Sequence, residues 1–547
     1  MAMRNTPASA NPKLDPILLE TFKHRFAAIA DEMGVVLRRS SYSPNIKERR
    51  DFSCALFNSH AQMVAQAAHI PVHLGSMPLA VEAALKAFPV EQTLLPGDCI
   101  ILNDPFLGGT HLPDITLISP VFTSSETRKL SGFVASRAHH ADVGGISPGS
   151  MPIAREIYQE GLIIPPIKLF EQDQLNQPVL ELILANVRTP QERMGDLWAQ
   201  IAANRRGLAR FGELLDKYGD AFIDERMTEL IEYTHRMTCR LIQSLPEGRY
   251  FYKDYLDDDG FNHDTIPIQV TIDIRGDQAN LDFTGSAPQQ PSSINAVFAI
   301  TLSAVHYVFR CLLGLDIPNN SGCMLPIHVF APPGSIVNAM HPSPVAAGNV
   351  ETSQRIVDVL FGALSQACPQ LIPAASQGTM NNLTLGGIDP GNQRAFAYYE
   401  TIAGGMGARP DSDGPSAMHS HMTNTLNTPV EALEYAYPLR ILHYGLRDSS
   451  GGAGRYTGGL GIRRDIQLLC DAQATLLSER RVLPPYGLAG GVPGQIGENA
   501  LIRDGIETML PGKGFFNLRP GDILSIRTPG GGGWGPPPTM CPSIKSQ

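Results

Sequence analysis

Asn103-Asp-Pro-Phe-Leu-Gly-Gly-Thr-His-Leu-Pro-Asp114, followed one strand later by Arg137-Ala-His-His-Ala-Asp-Val-Gly-Gly145, is the stretch on which the reading of this chain turns. Short apolar runs at 98–103, 115–122 and 130–136 flank and separate the two segments, which predicts β-strands joined by glycine-rich turns. The turns gather Asp104, His111, Asp114, His139, His140 and Asp142. That mixed nitrogen and oxygen set suits a borderline divalent metal such as zinc, manganese or iron. His111 and Asp114 sit two residues apart across Leu-Pro, so both can face one ion, although a loop histidine is often only a hydrogen-bonded surface residue. The nearby His-His-Ala-Asp segment strengthens the metal reading, because adjacent loops of one sheet can meet.

Outward from this stretch, residues 14–39 place Leu18, Phe22, Phe26, Ile29, Met33 and Val36 at helical spacing, and 51–57 alternate like a strand. Residues 77–88 read as a helix, and 190–218 and 221–244 as two more, expected to form a hairpin about Gly219. Residues 249–284 return to β, 296–313 form an apolar helix, and another starts at Gly348. Beyond about residue 375 glycine clusters such as 404–407, 449–454, 458–461 and 530–533 are expected to punctuate short strands. The fold class expected is α+β and multi-domain, with mixed and antiparallel sheets, flanking helices and a glycine-rich, strand-rich C-terminal third. The expected divisions are 14–185 (the metal-site region), 186–250 (the helical hairpin), 251–375 (mixed β and α) and 376–536 (glycine-rich β), with disordered tails at 1–13 and 537–547.

The 547 residues are 43% hydrophobic and 18% charged, an ordinary globular composition that predicts a soluble protein. Fifty-three acidic against 43 basic residues, a net charge of -10, disfavour a nucleic-acid or anionic-membrane surface and favour a small-molecule substrate or a protein partner. No apolar run of about eighteen residues and no signal-peptide pattern is found, so a cytoplasmic location is expected. Eight scattered cysteines without a CxxC pair argue against a zinc ribbon or a disulfide framework. Cys54, in a strand, reads as a small core residue rather than a nucleophile.

Three further places carry candidate chemistry. Asp51 opens an apolar strand after Glu48-Arg-Arg50, and it serves either as a strand-edge carboxylate paired with arginine or as a ligand. His419 and His421, in Met418-His-Ser-His-Met-Thr-Asn424, would share one side of an extended segment and touch metal or substrate, or simply cap a loop. Glu351 is a candidate general base, with a helix-surface ion pair to Arg355 as the alternative. No GxxxxGK[ST], no GxGxxG in a strand-helix context and no GxSxG occur, so the chain shows no ATP site or nucleophile elbow of its own.

Several longer words go together: Arg50-Asp-Phe-Ser-Cys54, His69-Ile-Pro-Val-His-Leu-Gly-Ser-Met-Pro78, His111-Leu-Pro-Asp-Ile115, the segment from Ser136 through Gly145 to Pro152, Gly348-Asn-Val-Glu-Thr-Ser-Gln-Arg355, His419-Ser-His-Met-Thr-Asn-Thr425 and Ser478-Glu-Arg-Arg481. Over residues 14–535 the chain resembles the hydantoinase B family, and within it most of all the C-terminal half of ATP-dependent 5-oxoprolinases. The resemblance implies a metal-dependent subunit that opens 5-oxo-L-proline or a related lactam or hydantoin. It also implies a hetero-oligomer with a hydantoinase A-type subunit that binds the ATP. Carried over by motif, it gives Asp51, His111, Asp114 and His139 as ligands, with His140 the alternate for the last, and Asp104 and Asp142 as their support. Relatives on the same scaffold include ketone carboxylases, so a carboxylase subunit is the second reading and a non-catalytic scaffold the third. The charged segment 407–414 departs from the family pattern beside the expected ring pocket.

Overall fold

Capping side chains or prolines mark the start of several helices. The computed structural model describes residues 15–67, 70–89, 93–124, 128–314 and 316–538. The segment 1–13 and most of 537–547, expected as tails, lie outside the described residues, as do His69 and Cys541. Asp15 caps α1 (Pro16–Ser40) by accepting from the amides of Ile17 and Leu18, and α1 buries Phe22, Phe26, Ile29, Met33 and Leu37. The turn region that follows contains a short helix, α2 (Pro44–Lys47), before β1 (Phe52–Asn58) and β2 (Met63–Gln66).

The first sheet is antiparallel throughout, in the order β2-β1-β5-β4-β3-β6-β7, where β3 is Cys99–Leu102, β4 Asp114–Phe122, β5 Leu130–His139, β6 Ile167–Glu171 and β7 Gln174–Leu175. Both faces are covered, so its central strands are buried along their length. Alternation divides the side chains. Cys54, Leu56, Val134 and Ala138 pack with α1, α5 (Pro190–Tyr218) and α6 (Asp220–Ser244), while Ala55, Phe57, Phe133 and Ala135 pack with α3 (Ser76–Ala87). A short α4 (Gln177–Ala185) precedes α5. Gln200 and Asn204 of α5 donate to the main-chain carbonyls of Ile115 (3.0 Å) and Leu117 (3.1 Å), which ties the helix to β4 by polar bonds inside an apolar layer.

A second, mixed sheet has the order β11-β10-β9-β8, with β8 at Gly248–Leu256, β9 at Ile266–Arg275, β10 at Gln278–Asp282 and β11 at Ile327–Phe330. Helices α7 (Phe298–Leu313) and α8 (Ser353–Ala367) share its core, and that core extends to Ile101, Leu117 and Leu477, drawing residues from three of the sheets together. A π-helical turn, Gly348–Thr352, leads into α8 in place of the regular first turn expected there. The last third carries β12 (Asn382–Asp389), β13 (Arg394–Glu400), α9 (Val430–Ala436), β14 (Leu439–Leu446), β15 (Ile462–Leu468), β16 (Ala472–Leu477), β17 (Glu498–Arg503), β18 (Ile506–Leu510), β19 (Lys513–Leu518) and β20 (Ile523–Arg527). They form two sheets, β13-β12-β16-β19 and β14-β15-β20-β17-β18, so the fold is α+β with several antiparallel sheets.

The glycine clusters do more than punctuate strands. Gly405, Gly452, Gly459, Gly531 and Gly533 bond one segment to the next through main-chain amides and carbonyls, as in Gly531 to Gly459 at 2.9 Å and Gly452 to Gly531 at 2.8 Å. A Cβ on Gly531 would stand 1.9 Å from the carbonyl oxygen of Met406, so the backbones touch where side chains would be. Gly108, in the loop that carries His111, has φ +84°, and a Cβ there would lie 2.3 Å from the amide nitrogen of Ala80. Gly108→Ala is therefore expected to destabilise the protein by about 2 kcal/mol or more, read as a lowered midpoint in denaturant unfolding.

Candidate metal centre

Asp114 is the first residue of β4 and His139 the last of β5, so both stand at strand ends and not in loops, and they are direct partners in the antiparallel register. Pairing across two strands puts both side chains on one face, the face toward α3. His111 reaches them from the turn before β4: its Nε2 lies 3.2 Å from Asp114 Oδ1 and 3.1 Å from His139 Nδ1, and His139 Nδ1 lies 3.3 Å from the same Oδ1. All three residues are at most 2% exposed. Donor atoms bound about 2.1 Å from one ion stand roughly 3 Å apart, which is the spacing found.

Two observations support a cation at this point. Asn349 Nδ2, from the π-helical turn, lies 2.9 Å from His111 Nε2, so three polar atoms converge on one ring nitrogen that can satisfy one of them. Among the described residues, His139 Nε2 and Asn349 Oδ1 also have no hydrogen-bond partner and are buried. The adjoining cavity, about 20 Å³ in volume, is lined by Asp51, His73, Asp114, His139, Asn349 and Tyr399 among others. A nitrogen, nitrogen and carboxylate set of this kind fits zinc, manganese or iron.

The two oxygens of Asp114 do different things. Oδ1 faces His111 and His139, while Oδ2 accepts from Thr110 Oγ1 and lies 3.3 Å from His73 Nε2. Burial pushes this carboxyl up, but His111, His139 and His73 outweigh it and hold the group well below the usual carboxylate range. Burial lowers His73 and His139 in turn. Ser53 Oγ stands 2.9 Å from His73 Nδ1, and the carbonyl of Ala346 is 3.3 Å from His111 Nδ1, so both rings are fixed from behind. Asn45 Nδ2 donates to the carbonyl of His139 at 2.6 Å. Thr110, His73 and Asn349 were not expected in these roles. His73 and Asn349 do stand in the words that carry the family resemblance, the one signal that pointed to them.

Asp51 lines the cavity, and its carbonyl accepts from the amide of His139 at 3.0 Å, but its carboxylate stands outside the tight triad. Burial raises its carboxyl, and Arg49 Nη2 approaches Oδ2 at 3.7 Å. The expected arginine partnership and a place at the cavity therefore coexist.

Other expected residues are placed elsewhere. His140, one position on from His139, faces α5: its Nε2 meets Gln200 Oε1 at 2.8 Å, and burial lowers it to about 4. Strand alternation is the reason that its ring is not brought to the cluster of His111, Asp114 and His139. Asp104 caps the short 3-10 turn at 105–107 through the amide of Phe106, and Asp142 accepts from the amides of Gly144, Gly149 and Arg188, so neither supports the cluster directly. His421 has φ +56°, so the segment is not extended there and the two imidazoles do not share a side. His421 turns to Tyr307 (3.4 Å) and Asp358 (3.8 Å), while Arg49 and Glu400 act on His419.

Glu351 neither lines the cavity nor pairs with Arg355, which binds Asp254 and Glu479 instead. Its Oε1 accepts from the amide of Met380 (3.0 Å) and from Asn382 Nδ2 (2.7 Å), and burial lifts its carboxyl to about 8. Asn382 Oδ1 in turn accepts from the Tyr399 hydroxyl at 3.0 Å, and the Tyr399 ring stacks on His139 with centroids 4.3 Å apart. Cys54 is wholly buried among apolar neighbours, a core residue.

Comparison with known proteins adds to this geometry. The family model described as Hydantoinase B/oxoprolinase matches residues 15–537. The chain is 41% identical to 5-oxoprolinase 1 of Arabidopsis thaliana, over 97% of this chain and 43% of that protein. It is 32% identical to a chain of Pseudomonas sp. strain NS671 whose name makes it one of the subunits of a D-/L-hydantoinase, over 96% of this chain and 90% of the other. The crystal structure of ATP-dependent caprolactamase from Pseudomonas jessenii is similar at a TM-score of 0.88 and 30% identity, covering 96% of this chain and 92% of that one. The chain thus spans less than half the length of the plant enzyme and nearly all of the subunit-sized relatives. With a family match from end to end of the described fold, the chain belongs to the Hydantoinase B/oxoprolinase family.

Proposed function

We propose that this chain is the metal-dependent hydrolytic part of an ATP-dependent cyclic amidase, opening 5-oxo-L-proline to L-glutamate, or a related lactam or hydantoin. It works with a hydantoinase A-type ATP-binding subunit in a cytoplasmic hetero-oligomer. The convergence of His111, Asp114 and His139 at 3.1–3.3 Å in a buried cavity is the observation that carries this reading. The sequence carries no phosphate-binding loop motif, which accords with an ATP site on the partner.

A lactam carbonyl is a poor electrophile. Transfer of the γ-phosphoryl group to its oxygen by the partner leaves ADP and an imidate-like carbon with a good leaving group. Water then adds at that carbon, the carbon–nitrogen bond breaks as the ring nitrogen takes a proton, and the acyl phosphate left behind is hydrolysed by a second water to carboxylate and phosphate. A divalent ion held by His111, Asp114 and His139, with Asp51 the candidate fourth ligand, would supply a water acidified toward neutrality. The chain's own groups hold the arrangement. The Ala346 carbonyl keeps the His111 proton on Nδ1 and leaves Nε2 to face inward. Thr110 and His73 occupy Asp114 Oδ2 and leave Oδ1 directed at the two imidazoles. Glu351 acts through Asn382 and Tyr399 on the orientation of His139, as a positioning residue.

His111→Ala or Asp114→Ala is expected to lose bound metal while the fold persists, whereas His140→Ala keeps it; elemental analysis of the purified proteins checks both, and equal metal in all three would refute the ligand set. Glu351→Gln should retain metal affinity and activity, since the side chain keeps its acceptor oxygen. Glu351→Ala should weaken metal binding by about tenfold in a competition titration with a chelator. In a mixture of this chain, its partner, 5-oxo-L-proline and ATP, glutamate and ADP should appear together, and neither chain alone should yield glutamate. No glutamate from the complete mixture would sink the hydrolase reading, and bicarbonate-dependent loss of a ketone would favour the carboxylase one.

A further inference from the structure

The cavity at the metal centre, about 20 Å³, has room for about one water molecule, so a five-membered ring does not fit inside it. The substrate therefore approaches from an adjoining space. A second cavity of about 420 Å³, within the size range of small-molecule sites, shares Ile70 with the first. Its lining also includes Asn424, which stands between Thr423 and Thr425 of the metal cavity. The other described cavities, of about 1450, 290 and 390 Å³, share no lining residue with the metal cavity.

The lining of this second cavity has a definite chemistry. Its body is apolar, with Ile70, Pro71, Leu74, Leu230 and Ile317, and its basic side chains are Lys23, His24 and Arg310. Among the described residues no carboxylate lines it, in a protein with a net charge of -10. Lys23 and His24 lie on α1 and meet Glu20 at 2.8 and 3.0 Å; Glu20 is 57% exposed and not part of the lining. Arg310 donates to the main-chain carbonyl of Ile317 at 2.6 Å. Tyr307, also in the lining, lies 3.4 Å from His421 Nδ1, which gives that histidine a place behind this cavity and away from the ligands.

We propose that this cavity is the substrate site, and that it selects a small cyclic amide carrying one negative charge beside its ring, with Ile70, common to both linings, marking where the two cavities meet. The apolar body suits the ring methylenes, and the basic residues suit a ring carboxylate such as that of 5-oxo-L-proline. The proposal rests on the cyclic-amide reading above and adds where the ring lies and why it is anionic.

Isothermal titration of the metal-loaded full chain with 5-oxo-L-proline and with uncharged 2-pyrrolidinone tests it. Lys23→Glu, at a partly exposed position, is expected to weaken 5-oxo-L-proline about three- to tenfold and leave 2-pyrrolidinone unchanged. Ile317→Trp, which fills the cavity from its far wall, is expected to weaken both rings, with the metal content of both variants equal to that of the parent. Binding of 5-oxo-L-proline unchanged in both variants, or no binding of it to the parent chain, would overturn the proposal. Glutamate formation with the partner present is read separately. Turnover undiminished in Ile317→Trp overturns the cavity and leaves the hydrolase reading standing. Parent binding lost in Ile317→Trp without any turnover supports the cavity and sinks the hydrolase reading.

Discussion

The register of β4 against β5 is the constraint on which the centre depends. With Asp114 opposite His139, two donors share a face and lie within reach of the turn that brings His111. A slip of one residue would send His139 toward α5 and present His140 in its place. That error is opposed on both faces at once. His140 and the two carbonyls of β4 are engaged by Gln200 and Asn204 of α5, and Arg137 on the other face donates to Thr116, Ser76 and the carbonyl of Gly108. The polar bonds that fix the register thus also hold the turn that carries His111 against α3.

Around that pair the site is assembled from distant parts of the chain. Asn349 comes from the entrance to α8, Tyr399 from the end of β13, His73 from the turn before α3 and Asp51 from the residue before β1. The large apolar core that runs from the first sheet through α7 and α8 makes these positions mutually rigid. A preorganised centre needs side chains whose neighbours cannot move, and nearly every group at this one is buried and bonded from behind.

Much of this was legible in the sequence. The HxxD turn and the strands around it could be read from spacing, the helices from their apolar stripes, and Asp51 from the family resemblance. The choice between His139 and His140 was not, because alternation decides it only once β5 is known to run through His139. Spacing gave no sign of Asn349 at His111, since 238 residues separate them and a π-helical turn sets the side chain's direction. The pairing of His419 with His421 failed on a single backbone angle, the positive φ of His421. Glu351 and Arg355 do occupy successive turns, but burial favoured partners from other elements over the neighbour that sequence offers.

The glycine segments at 404–407, 450–461, 490–494 and 530–533 meet backbone to backbone. In such a region what each position demands is an absence of volume, and no chemical group is being selected. Variation there would be as restricted as at the candidate centre, so a residue's invariance among relatives would not separate the glycines that exclude a methyl group from the histidines of that centre. Only the geometry tells the two kinds of constraint apart.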